Sequence, residues 1–358
     1  MILTKLDRYI IKKFLGTFVF ILVLLMSISM VFDLSEKIND FLAAGAPWSE
    51  IVFTYYSNFF IFYGFQFVYL INFISVIWFT SKMANNTEIV PILSAGVSFN
   101  RMLRPYFISA SILVLVTIVM TNYVLPESNK SRLEFEAVYY KDYTGRSNVR
   151  ARISENEILY FRLFNAVNAE ILNFSYEKWD GDSLEYILES GRAVGDSTTN
   201  DWHFDRYELR RFGEFNDELS FGYNVDTVLS FSIGDVIFRS NVIESMNNTE
   251  LDEFIAKETM KGSDKIPIYL IEKYKRWASP FAIFVLTLIG VSVSSKKARG
   301  GLGVNIAIGL AVAMLYIFSM QLTTVAAIKV GFTPFLAVWI PNIVFGLLAL
   351  VLYKRAPK

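Results

Sequence analysis

Six long stretches of this 358-residue chain, 14–32, 51–80, 106–125, 277–293, 304–328 and 335–353, contain no Asp, Glu, Lys, Arg or His. A bilayer core takes about 20 helical residues to cross. Inside it every backbone amide must be bonded within the protein. Six transmembrane helices are therefore expected. The second stretch is long for one crossing, so it is expected to tilt or to protrude at its start. A cleavable leader is not expected, because the first stretch is long enough to span and no small-residue cleavage site follows it.

The basic residues divide the loops into two classes. Lys5, Arg8, Lys12 and Lys13 precede the first stretch, and Lys82, Arg101 and Arg104 separate the second from the third. Lys296, Lys297 and Arg299 separate the fourth from the fifth, and Lys354, Arg355 and Lys358 end the chain. The alternate loops hold Lys37 among acidic neighbours and then Lys329 alone. Basic loops stay on the cytoplasmic side, so both termini and the loop at 81–105 are expected there. Leu3, Leu6, Ile10 and Phe14 share a helical face with basic residues between them. That pattern suits an interfacial amphipathic helix and equally a charged extension of the first span.

Residues 126–266 are polar and are expected on the opposite side. Within them "EILYFRLF", "EILNFSYEKW", "SLEYILESGRAV", "DWHFDRYELRRF" and "DTVLSFSI" are short, rich in aromatic and β-branched residues, and parted by turn residues. They read as antiparallel strands of a sandwich or jelly roll, with a hairpin around Asp180 and Gly181. "TELDEFIAKETMK" reads as a short helix with Thr249 as its N-cap. The chain thus divides into a first membrane half (1–125), an all-β domain (126–266) and a second membrane half (267–358).

Several chemistries are excluded or disfavoured. The chain has no cysteine, so it has no disulfides or thiolate sites. It has no P-loop motif with which to bind ATP and no nucleophile elbow or His-Glu-x-x-His zinc motif. The uncharged spans argue against a proton-coupled carrier. His203, the single histidine, reads as a strand residue rather than a metal ligand. No cofactor is expected on this chain. Its formal net charge of zero sets up no global field toward nucleic acid.

The segment "NNTEIVPILSAG", at about 86–97, reads as a short amphipathic helix in the loop between the second and third spans. Asn86 or Thr87 can cap it, and Glu88 suits its first turn. Ile89, Ile92 and Leu93 make an apolar stripe, and Gly96 can close it in left-handed geometry. Pro91 requires either a start near Thr87 or Glu88, or a kink. From the residues alone, a solvated loop helix and a docking helix for a cytosolic partner both fit.

These residues carry a resemblance. "LDRYIIKKF", "TEIVPILSAGVSFNRMLRP", "TELDEFI", "RWASPFAIFVLTLIGVSVSSKKARGGLGVNIAIG" and "GFTPFLAVWIPNIVFGLLALVL" resemble the lipopolysaccharide-export permeases of the LptF/LptG (YjgP/YjgQ) family. The start at Leu6–Tyr9 is nearer the LptG branch. The resemblance implies six transmembrane helices with a periplasmic jelly roll, in the Gram-negative inner membrane. It implies an ABC transporter permease paired with an LptF-like paralogue on an LptB-like ATPase dimer. The pair would extract lipopolysaccharide and pass it to LptC/LptA-like bridge proteins, the ATPase alone binding ATP. It also makes 86–97 the ATPase-coupling helix, through Glu88, Ile89, Ile92, Leu93 and Gly96, and makes Lys37 a contact for the lipid headgroup. The competing reading is a membrane receptor or scaffold whose β domain binds a ligand.

Overall fold

The structure, a computed structural model, describes residues 4–140, 147–154, 156–165, 170–195, 201–213, 216–231, 243–260, 263, 265–295 and 302–356. It is mostly helical, with a six-stranded antiparallel sheet between two groups of helices. Five helices are long and apolar enough to cross a membrane, or six if one bent pair counts as a single span.

The first helix, α1 (Lys5–Ala43), is unbroken over 39 residues, or about 58 Å at the usual helical rise. Thr4 caps it. The Thr4 hydroxyl accepts from the Asp7 amide, and the Asp7 carboxylate accepts from the Thr4 amide, so two otherwise orphaned donors are bonded. The basic N-terminal residues are thus the first turns of this long helix rather than a separate surface helix.

The stretch at 51–80 is not one straight rod. Helix α2 (Trp48–Gln66, which includes a π-helical run at Ile51–Tyr56) and α3 (Val68–Asn85) meet at Phe67 with a 69° bend. No proline or charge marks this break. The short helix α4 (Ile89–Ser94) follows. Ser98 then caps α5 (Phe99–Val119), and a π-helical turn at Met120–Val124 leads into α6 (Leu125–Tyr139). At that turn the Asn122 amide donates to the Ile118 carbonyl at 2.8 Å. This helps satisfy the backbone where the regular ladder is interrupted.

The strands are β1 (Ser147–Ser154), β2 (Glu157–Asn165), β3 (Glu170–Asp180), β4 (Ser183–Gly195), β5 (Asp201–Arg211) and β6 (Glu218–Val228). They pair in sequential order as an up-and-down meander. The expected hairpin is present, with Gly181 at φ +60°. "DTVLSFSI" contributes only its first three residues to a strand; β6 begins earlier, at Glu218, and β1 escaped the pattern. The rest of that motif ends outside the described residues.

One face of the sheet is apolar. Phe161 pairs with Phe174, Leu159 with Tyr176 and Ala193 with Phe204, all buried. Asn173 has φ +54°, a left-handed conformation that asparagine tolerates. It resets the alternation, so that Ile171 and Phe174 both point inward. After β6 the chain crosses this face. The Trp202 indole donates to the Phe231 carbonyl, and the Ser230 hydroxyl donates to Glu157 of β2. Leu229 and Phe231 thus pack on the apolar face of the sheet.

Helix α7 (Asn248–Met260) is capped by Asn247, not Thr249. The Asn247 side chain accepts from the Glu250 amide, and the Glu250 carboxylate accepts from the Asn247 amide, both at 2.9 Å. Three further long helices follow: α8 (Ile266–Ser294), α9 (Leu302–Lys329) and α10 (Pro334–Lys354). Helix α8 is central, packing against α3, α5 and α10. Interior polar pairs add to this packing: Asn72 to Thr287, Asn305 to Ser81, and Tyr316 through Asn342 to the Ala278 carbonyl. Such bonds hold helices together where apolar contact alone does not discriminate protein from lipid. Helices α1, α9 and α10 leave apolar faces uncovered, with Phe32 73%, Phe318 66% and Leu347 61% exposed.

Two glycines set how closely α3 lies to its neighbours. A Cβ on Gly290 would stand 2.8 Å from the stiff γ-methyl of Val76, whereas one on Gly309 would meet the flexible end of Ile77. Gly290→Ala is therefore expected to cost about 1–3 kcal/mol and Gly309→Ala less. Thermal unfolding of the two variants in detergent would test the order, and equal midpoints would refute it.

Candidate functional site at the two ends of the first helix

The residues singled out by sequence lie at opposite ends of α1. Glu88, Ile89, Ile92, Leu93 and Gly96 sit near its start, and Lys37 sits near its finish.

At the starting end, α3 closes with the Thr87 amide donating to the Ala84 carbonyl and the Glu88 amide to the Met83 carbonyl. This is a Schellman ending, whose left-handed residue is ordinarily glycine. Here it is Thr87, at φ +57°. A β-branched residue in that conformation stores strain, and such outliers concentrate at functional sites. Neither Asn86 nor Thr87 caps the next helix. Glu88 occupies the cap position with no side-chain cap bond. Its carboxylate instead accepts from the Tyr9 hydroxyl at 2.9 Å and from the Asn86 amide at 3.3 Å.

Pro91 is the third residue of α4, inside the first turn, where its missing N–H costs nothing. The helix is therefore short rather than kinked. Gly96 closes it at φ +83°, as expected, with its amide donating to Leu93 and that of Val97 to Ile92. The apolar stripe faces the protein's own interior. Ile89 is 2% exposed, and Ile92 and Leu93 pack partly buried against the core. The outward face presents Val90, 62% exposed.

Sequence reasoning missed the tie beside α4. Arg101, in the first turn of α5, donates to both oxygens of Asp7 at 2.5 and 2.7 Å and to the Thr4 hydroxyl at 3.2 Å. Asp7 is fully buried. Arg101 counted only as one loop charge, and Asp7 lies 94 residues away. The first turn of α5 also meets the end of α10, where the Tyr353 hydroxyl donates to Asn100 and the Phe99 and Tyr353 rings lie 6.1 Å apart.

At the far end of α1, Lys37 is ion-paired with Asp33 at 3.0 Å and Glu136 at 2.8 Å. It also donates to the Tyr55 hydroxyl at 2.6 Å. Asp33 is one of the acidic neighbours along the chain; the other carboxylate is Glu136, because the fold brings α6 against α1 from 99 residues away. Arg132 pairs with Glu136 at 2.8 Å. Two cations and two carboxylates thus form a neutral cluster. Tyr140 lies near the Lys37 charge, and Phe62 and Tyr63 near that of Arg132. All three ammonium protons of Lys37 have acceptors here.

Two outcomes are expected. Thr87→Gly relieves the left-handed strain and should stabilise the protein by about 1 kcal/mol; a lower unfolding midpoint would contradict the strain. Glu136→Gln leaves two buried cations sharing one carboxylate and should cost about 3 kcal/mol. A change under about 1 kcal/mol in the same unfolding measurement would show that the cluster is solvated.

No cluster of three or more His, Cys, Asp or Glu suited to a metal exists among the described residues. His203 lies half-exposed on β5 with its Nδ1 2.7 Å from Asp226. A comparison with curated proteins returns no match. Comparison with known families matches residues 8–355 to "Lipopolysaccharide export system permease LptF/LptG". The match runs from the first turn of α1 to the end of α10 and includes α4, the Lys37 cluster and the sheet between the helical groups; Thr4 and Asp7 lie just before it. The chain belongs to the lipopolysaccharide export system permease family LptF/LptG.

Proposed function

We propose that this chain is the membrane-embedded half of a two-part export machine, in which a separate nucleotide-hydrolysing subunit docks on α4 and supplies the work. The chain itself binds no nucleotide. The basic end of the bundle, with both termini and α4, lies in the cytoplasm of a Gram-negative cell, and the sheet lies in the periplasm. The observation that carries this reading is α4 itself. It is a short, sharply terminated helix, entered through a strained threonine and anchored by Ile89, with a bare valine on its outer face. A free loop needs none of these features.

The uncovered apolar faces of α1 and α9 suit a paralogous permease and the acyl chains of lipopolysaccharide between the two subunits. The β domain would receive the same chains after extraction. Among the described residues β6 has no strand beyond it, and Leu219, Phe221 and Tyr223 are exposed along it. Such an edge suits a bridge protein of the LptC/LptA kind added by strand pairing. Lys37 as a headgroup contact requires a lipid phosphate to displace Glu136 from the ammonium.

Co-purification from detergent extract, followed by lipid release from proteoliposomes, tests the reading. Val90→Asp or Glu88→Arg should reduce capture of an ATP-binding subunit at least about tenfold, worth about 1.4 kcal/mol. Lys37→Ala should leave capture intact and weaken lipopolysaccharide cross-linking. Capture of no ATP-binding subunit by the unaltered chain would favour a receptor or scaffold and sink the proposal.

A further inference from the structure

Helix α4 is joined to the rest of the protein by more than its two chain connections. On one side the carboxylate of Glu88, its cap residue, accepts from Tyr9; on the other, past Gly96, Arg101 in the first turn of α5 grips Asp7 and Thr4. Both ties end on the first turns of α1, and neither reaches it through the chain between. A bidentate guanidinium–carboxylate pair fixes orientation as well as distance.

We infer that this two-point clamp, Arg101 on Asp7 and Tyr9 on Glu88, is the link that carries displacement of α4 into α1, and through α1 to the ionic cluster at its far end. The inference rests on the reading of α4 as the docking element.

The argument is one of stiffness. Two other helices leave α4 through the chain. Helix α3 meets a 69° break at Phe67, and α5 meets a π-helical turn at Met120–Val124. A displacement entering either one meets a discontinuity where the helix can hinge. Helix α1 has no such interruption over its 39 residues. Near the clamp it is packed on α3 and α5 by Ile10 and by Phe14, whose ring lies 5.9 Å from Tyr106. At the opposite end Asp33 and Lys37 tie it to Tyr55 on α2 and to Glu136 on α6. Helix α1 is therefore a continuous strut pinned by polar contacts at both ends, with an uncovered apolar face between them. Moving its start moves the Lys37 cluster.

Tyr9 and Arg101 are positioning residues on this view, so the test must separate transmission from docking and from folding. The chain contains no cysteine, so single cysteines at Ser94 and Glu36 can carry spin labels. The complex with its nucleotide-hydrolysing partner is reconstituted in proteoliposomes. Partner capture, ATP hydrolysis and lipopolysaccharide release are then measured together with the nucleotide-dependent change in label distance.

Arg101→Ala combined with Tyr9→Phe should keep capture and hydrolysis within about twofold and cut lipid released per ATP by about tenfold or more. The nucleotide-dependent shift at the Glu36 label should disappear. Arg101→Lys, which keeps the charge but not the fork, should recover part of the release. Tyr9→Phe alone removes one oxygen from a half-exposed ring and should fold normally while still lowering release per ATP.

Unchanged release per ATP in the double variant would overturn the inference. So would a parallel loss of hydrolysis and release, since that marks a docking or folding defect rather than lost transmission. If the unaltered complex neither captures an ATPase nor releases lipid, the permease reading fails as well. If it does both and the clamp variants match it, the clamp alone fails.

Discussion

Backbone amides inside a bilayer have no water to bond, and each one left open costs several kcal/mol. That constraint governs the helical part of this protein. Where the chain is a simple rod, as in α1, the helix satisfies every group internally. Where it departs from the rod, something else must serve. At Phe67 the backbone amide still reaches the Tyr63 carbonyl across the bend. At Met120–Val124 side chains fill in: Asn122 donates to Ile118, and Thr121 to Thr117. These irregular points are the ones at which the bundle can bend.

Polar chemistry is accordingly moved to the ends of the helices. The neutral cluster of Asp33, Lys37, Arg132 and Glu136 joins α1 to α6, and Tyr55 of α2 lies within it. The Asp7–Arg101 pair joins α1 to α5 at the opposite end. Between them α1 shows Phe20, Val31 and Phe32 to its surroundings. For a member of a lipopolysaccharide export family this is a coherent division. Charge fixes the register of the helices, and the hydrocarbon between is left bare. Buried ion pairs are weak sources of stability but strong sources of specific geometry, and register is a matter of geometry.

The helix count, the β domain and the short helix after α3 were legible because each depends on local pattern: charge-free length, alternation, and a glycine stop at Gly96. The break at Phe67 was not legible. No proline or charged residue flags it, and Gly64 and Gln66 beside it do not by themselves signal a bend. The N-cap of α7 was misplaced by two residues because Asn247 and Thr249 are both good caps, and only backbone geometry decides between them. Arg101 entered only the count of loop charges, and Asp7, Tyr9 and Glu136 carry no local signal of their partners. Nothing local distinguishes an arginine that will meet an aspartate 94 residues away from one that meets water.

The apolar stripe of α4 shows the boundary between the two kinds of information. By itself the sequence determined that Ile89, Ile92 and Leu93 share a face, because helical periodicity is intrinsic to the backbone. It also determined that the helix ends at Gly96, because glycine enters left-handed geometry at little cost. Which way that face points was decided only in three dimensions, where the core of α1, α3 and α5 offers Ile89 more burial than solvent does. The same holds for Lys37. Its place near the end of a span followed from the order of residues. Its occupancy by Glu136 followed from the packing of α6 on α1, because the strength of an ion pair depends on distance in space and not along the chain.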